Sequence, residues 1–188
     1  MTFDELMLKV RPVSSETALS DEEAQLLFEC VTQIPSGAIA IEIGCQLGRS
    51  SVLIANVAHM IRFHTIHIDP HTMQGEMAAG WIGHMKKFCP DDSTFTALYM
   101  RTDQAESILE KLGPYHFAYI DGDHEYPGVM TDLRVAAQRV VVGGMICCHD
   151  YGRESLPGVW KAVNEYMESG DWEQIRVAGT MGAWRRVR

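Results

Sequence analysis

Short apolar runs bounded by turn residues alternate along this chain with stretches whose apolar positions recur at helical spacing. The first pattern predicts strands and the second helices. Ser20-Asp21-Glu22-Glu23 is a capping box, and Ala24, Leu27, Phe28 and Val31 form the helical stripe behind it. Ala38 to Ile43 reads as a strand, and Arg49 to Ile61 as the helix that follows. His64 to Ile68 is a second strand, ended by Asp69-Pro70, and Gly75 to Phe88 is a helix. Phe95 to Met100 is a third strand, leading through Thr102-Asp103 into a helix carrying Ala105, Ile108, Leu109 and Leu112.

His116 to Ile120 is a fourth strand that delivers Asp121-Gly122-Asp123-His124. The next helix shows Met130, Leu133, Ala137 and Val140 at helical spacing, with Gly143-Gly144 as its stop. Met145 to Cys148 is a fifth strand, ahead of His149-Asp150-Tyr151-Gly152. Pro157 opens a helix with Val159, Val163, Tyr166 and Met167. Trp172 to Val177 and Gly182 to Val187 flank Gly179-Thr180, a spacing that predicts an antiparallel hairpin. This alternation is the pattern of a doubly wound α/β sheet.

At 188 residues the chain suits one domain, spanning 1–188. A net charge of -9 argues against nucleic acid as the main partner. Arg185, Arg186 and Arg188 read as a solvated strand end. No basic leader or membrane-length apolar run is visible, so the expectation is a cytoplasmic protein without a membrane partner. Cys30, Cys45, Cys89, Cys147 and Cys148 lack C-x-x-C spacing and read as reduced thiols. Nothing in the sequence sets the oligomeric state, and a homo-oligomer is compatible with it.

The turn after the first strand, Glu42-Ile43-Gly44-Cys45-Gln46-Leu47-Gly48-Arg49-Ser50-Ser51, carries the first chemical signal. Ligands of open α/β sheets bind at the carboxyl ends of the strands. The spacing E-x-G-x-x-x-G differs from the dinucleotide fingerprint G-x-G-x-x-G, and its acid would repel a pyrophosphate. That acid suits a cofactor with a cationic amino-acid end. Two later strands end in titratable clusters, Asp121 to His124 and His149-Asp150. In a parallel sheet both open on the same edge, so Asp121, His149 and Asp150 are expected to converge.

The glycine turn resembles motif I of the class I S-adenosylmethionine-dependent methyltransferases. The segment I-D-G-D-H-x-Y-x-G-V from Ile120, the later Gly143-Gly144-Met145-Ile146, and Pro157-Gly158-Val159-Trp160-Lys161-Ala162-Val163 sharpen the likeness. They are similar to a small subgroup related to the macrolide and aminocoumarin sugar O-methyltransferases and the cephalosporin-biosynthesis methyltransferase-like proteins. The likeness covers nearly the whole chain from about Ile39. It implies a Rossmann-like class I methyltransferase fold, with a mostly parallel seven-stranded sheet and an antiparallel strand in the C-terminal hairpin.

For the cofactor, the resemblance implies S-adenosyl-L-methionine held by Glu42, Gly44, Cys45, Gly48, Ser50 and Ser51. Asp69 would accept from the ribose hydroxyls, Asp103 would meet the adenine amino group, and Asp121 would border the methyl donor. In several such relatives the acids matching Asp121 and the pair His149-Asp150 bind a divalent metal, Mg or Mn, but this chain has a histidine in place of one carboxylate. The catalytic set is therefore Asp121, His149, Asp150 and His124, acting as metal ligands or as a base with orienting acids. His149, near its ordinary pKa, would be the base, with His124 its rival. The metal version is preferred because Asp121 and Asp150 would otherwise face each other without a cation.

The expected activity is O-methylation of a small-molecule acceptor. Two alternatives are a non-catalytic S-adenosylmethionine-binding protein and a metal-dependent hydrolase or oxygenase built on the Asp121, His149 and Asp150 cluster. Trp81, His84 and Met85 read as one face of an ordinary amphipathic helix.

Overall fold

The computed structural model describes residues 1–13, 19–70 and 75–188. Its elements run α1 (Phe3–Val10), α2 (Asp21–Val31), β1 (Ile39–Ile43), α3 (Arg49–Ile61), β2 (His64–Ile68), α4 (Gly75–Phe88) and β3 (Phe95–Leu98). They continue with α5 (Thr102–Leu112), β4 (Tyr115–Ile120), α6 (Tyr126–Ala136), β5 (Val140–Cys148), α7 (Pro157–Met167), β6 (Trp172–Ala178) and β7 (Met181–Arg186). The strands form a seven-stranded sheet in the order β3-β2-β1-β4-β5-β7-β6. β1 to β5 are mutually parallel, and β7 runs antiparallel to both β5 and β6. This is the Rossmann-like methyltransferase topology expected from the sequence.

Central strands buried on both faces need apolar side chains on both, and the pleat sorts them. Ala40, Phe117, Tyr119 and Cys147 pack beneath α1, α2, α3 and α4. Ile41, Ile43, Ala118, Ile120 and Cys148 pack beneath α5, α6 and α7. The adjacent cysteines thus part to opposite faces, as strand geometry demands.

α1 was missing from the sequence reading, although its signal was present. Thr2 and Glu5 form a reciprocal capping box, and Leu6, Met7 and Val10 bury its apolar face. A second difference concerns Gly143-Gly144, which do not stop a helix. α6 ends at Ala136, one 3-10 turn spans Ala137–Arg139, and Val140 already belongs to β5. Three successive valines favour strand. The glycines absorb a register shift against β4 between Tyr115 and Phe117, with Gly143 at φ +86°. β3 ends at Leu98 rather than Met100.

Candidate active site

β1, β2, β4 and β5 all point their carboxyl ends at one cavity of about 560 Å³. Its wall includes Gly44, Cys45, Ser50, Asp69, Asp103, Asp121, His124 and Asp150 from the expected set. Glu42, Gly48, Ser51 and His149 are not on that wall. They support it from behind.

Glu42 is completely buried. It accepts from Ser51 Oγ at 2.7 Å and pairs closely with Nδ1 of His67 on β2. Trp81 Nε1 donates to the same Ser51 hydroxyl at 3.0 Å, so this network ties β1, β2, α3 and α4 together. Both contacts fall on Glu42 Oε2, while Oε1 is buried with no hydrogen-bond partner among the described residues. Trp81 and Met85 lie in the core as the amphipathic reading anticipates, and His84 Nδ1 contacts the Leu47 carbonyl at 2.8 Å.

The turn itself is held by Asp69. Its Oδ2 accepts from the backbone N–H groups of Cys45 at 2.7 Å and Gln46 at 2.8 Å. Gly44 adopts φ +85°, and a Cβ there would lie 1.9 Å from the carbonyl oxygen of Asp121. Its bareness therefore lets the β1 and β4 turns touch each other. At Gly48 an added Cβ would meet the Trp81 ring at 2.9 Å. Asp103 is about half exposed and pairs with Arg101 Nε at 3.1 Å, while its Oδ1 also accepts from Gln104 N at 3.0 Å.

Across the cavity the second cluster forms. His149 Nδ1 lies 3.2 Å from Asp121 Oδ1 and 3.6 Å from Asp150 Oδ2. His124 Nε2 lies 3.1 Å from Asp150 Oδ2 and 3.8 Å from Asp121 Oδ1. Arg153 Nη1 reaches Asp150 Oδ1 at 3.2 Å. The hydroxyl of Tyr119 points at Asp121 Oδ2 from 3.4 Å. Asp150 sits at φ +56°, a left-handed conformation that aspartate and asparagine tolerate better than most residues.

These contacts correct the idea of a histidine near its ordinary pKa. Burial alone would lower the value for His149, but Asp121, Asp150 and Glu23 outweigh it and push it up to about 12. His124 is pushed up to about 10 by Asp121 and Asp150. Asp150 is driven well below the usual carboxylate range, because His124 and His149 overcome the opposing effect of burial. Two histidines and Arg153 thus already face Asp121 and Asp150, so these carboxylates do not lack cationic partners.

The ligand atoms of Asp121, His149 and Asp150 lie within 4.8 Å of one another, close enough to share one metal ion. Two carboxylates and an imidazole fit a divalent ion that accepts nitrogen, such as Mn, better than one demanding oxygen alone.

Three contributors escaped the sequence reading. Glu23 had been read only as a helix cap. Arg153 follows β5 in a loop without a motif. Asp132 lies on α6, buried against the β4 turn, and accepts from Asp123 N at 3.2 Å. Burial raises the Asp132 carboxyl to about 6 despite a lowering hydrogen bond from Thr102.

A carboxyl whose folded pKa is raised makes no penalty below its unfolded value near 3.8. The penalty grows as pH rises toward 6 and is complete above it. Asp132→Asn is therefore expected to gain about 2–3 kcal/mol on wild type at pH 8 and nothing at pH 3.5. Parallel urea titrations at the two pH values measure this, and an equal difference at both would refute the buried ionisation.

A family profile described as a methyltransferase domain matches residues 41–151, more than half of the chain. The O-methyltransferase NovP superposes with a TM-score of 0.73 at 18% identity, covering 98% of this chain and 88% of NovP. The O-methyltransferase TomG from Streptomyces achromogenes, solved with SAM, gives 0.75 at 14% identity over 99% and 89% of the two chains. An O-methyltransferase from Bacillus cereus, solved with SAH, gives 0.72 at 13% identity over 98% and 90%. At these identities the superpositions establish a shared fold.

Proposed function

Because the chain belongs to the methyltransferase domain family, we propose that it moves the methyl group of S-adenosylmethionine to a hydroxyl of a small molecule, assisted by a divalent cation. The observation that carries this reading is a shared cavity. The turn braced by Asp69 meets Asp121 and Asp150 across the same space, with His149 behind those two carboxylates.

The wall suits a positively charged cofactor. Asp69, Asp103, Asp121, Asp123, Asp132 and Asp150 outnumber Arg49, Arg101, Arg153 and His124 along it. TomG and the Bacillus cereus enzyme, which share this fold, carry SAM and SAH, and that also supports the reading. Asp69 and the turn at Gly44, Cys45 and Ser50 would hold the cofactor, with Asp103 toward its adenine. When bound, S-adenosylmethionine supplies an electrophilic methyl group. A divalent cation at Asp121, His149 and Asp150 supplies a Lewis acid that favours the ionised acceptor hydroxyl.

The protein's own part is orientation. His124, about half exposed on the cavity wall, pairs through Nε2 with Asp150 and, with its pKa pushed up to about 10, faces the cavity as a cation at neutral pH. Asp150 orients that ring. The unpaired thiols of all five cysteines fit a reducing compartment, and among the described residues no helix is long and apolar enough to cross a membrane.

A second reading keeps the methyl transfer without a metal. It is favoured by the positive charge that His124, His149 and Arg153 already bring to the two carboxylates. Calorimetric titration with S-adenosylhomocysteine, with chelator and with manganous ion, is expected to give binding in both conditions. Turnover on a panel of hydroxyl acceptors should vanish with chelator and return with a divalent ion. No binding of S-adenosylhomocysteine would sink the cofactor assignment, and turnover indifferent to chelator would select the metal-free reading.

A further inference from the structure

Glu23 lies where α2, the β6–β7 turn and the end of β5 meet. Its Oε2 accepts from Ser20 N and Ser20 Oγ, both at 2.8 Å. Its Oε1 accepts from Thr180 N at 2.7 Å and Thr180 Oγ1 at 2.8 Å. The residue is buried. Nε2 of His149 stands 3.5 Å from Oε2, an ion-pair distance longer than a hydrogen bond. His149 is thereby held between carboxylates on both sides of its ring: Glu23 beside Nε2, and Asp121 and Asp150 beside Nδ1.

An imidazole that offers a lone pair from one nitrogen keeps its proton on the other. The acceptor facing that second N–H fixes both tautomer and ring orientation. Glu23 stands on the Nε2 side with a carboxylate that is itself immobilised by four hydrogen bonds. It lies at ion-pair distance with no hydrogen bond closed to Nε2, while Nδ1 is bonded to Asp121 Oδ1 at 3.2 Å. Without it, Asp121 and Asp150 are the carboxylates left beside the ring, and they draw the proton to Nδ1.

We propose that Glu23 is a positioning residue that keeps the His149 proton on Nε2, so that Nδ1 joins Asp121 and Asp150 as a nitrogen donor to a divalent cation. The inference rests on the metal-assisted reading and extends it to a residue on another element. It also gives α2 a part in the site, since that helix brings the carboxylate that orients the ring.

The test is binding of manganous ion to the whole protein, followed by electron paramagnetic resonance in the absence of cofactor and acceptor. Glu23→Ala is expected to weaken the ion by about 10–100-fold. Glu23→Gln, whose amide oxygen still accepts one N–H, should weaken it less. Ser20→Ala removes one of the four hydrogen bonds that hold the carboxylate and leaves its charge in place, so it should weaken the ion less than Glu23→Ala. Thermal melts and S-adenosylhomocysteine affinity are recorded for each variant, and Glu23→Gln decides if Glu23→Ala does not fold. Wild-type affinity in both Glu23 variants would overturn the positioning role while leaving the metal reading intact. A loss in Ser20→Ala equal to that in the Glu23 variants would reduce the role to helix capping and overturn it as well. If wild type takes up no manganous ion, the metal reading fails first, and the inference with it.

Discussion

Asp150→Asn is expected to lower methyl transfer by about 100-fold or more while leaving S-adenosylhomocysteine affinity nearly unchanged. The substitution is gentle on the backbone, because asparagine accepts the φ of +56° that Asp150 adopts. What it removes is charge. Asp150 faces His124, His149 and Arg153 at 3.1 to 3.6 Å, and a neutral amide holds none of these cations in place. The glycine turn and Asp69, assigned to the cofactor, lie on β1 and β2 and do not depend on it. Steady-state turnover on a hydroxyl acceptor and calorimetry with S-adenosylhomocysteine are the paired measurements. Undiminished turnover in Asp150→Asn would remove this cluster from the reaction under either reading of the metal.

Gly44→Ala is expected to destabilise the protein by about 3 kcal/mol or more. Two effects add: an L side chain is strained at φ +85°, and its Cβ would sit 1.9 Å from the Asp121 carbonyl oxygen and 2.7 Å from Gly122 N. Backbone has no rotamer with which to escape. The β1 and β4 turns must separate, and Asp121 moves with them. Denaturant unfolding measures the loss, and a variant as stable as wild type would show that the two turns can part without cost. A larger residue at Gly44 is thus a poor probe of cofactor approach, since it acts on the fold first.

Much of the architecture was legible because local physics repeats with the secondary structure. Strand and helix periods, the caps at Ser20 and Pro157, and the Gly179-Thr180 turn placed nearly every element within one or two residues. At the boundary of α6 and β5, where that reading failed, competing local signals were present. Gly143-Gly144 can end a helix or absorb a bulge, and the pairing of β5 with β4 selects the bulge. The acids at strand ends were equally legible, because a charge closing an apolar run needs a reason. Their partners were not. Glu42 meets His67 across 25 positions, and Glu23 meets Thr180 across 157.

The amino-acid sequence by itself determined the α/β fold class, the strand ends that bear the chemistry, and the convergence of Asp121, His149 and Asp150 on one edge of the sheet. These follow from periodicity and from the parallel arrangement that alternating strands and helices impose. Only the tertiary structure decided which side chains face the cavity and which stand behind it. It set Asp69 to bracing the turn, put Glu42 under the turn with His67 and Ser51, and surrounded His149 with three carboxylates. The reason is physical: protonation, pairing and burial depend on groups brought together through space, and the spacing of residues along the chain does not record those distances.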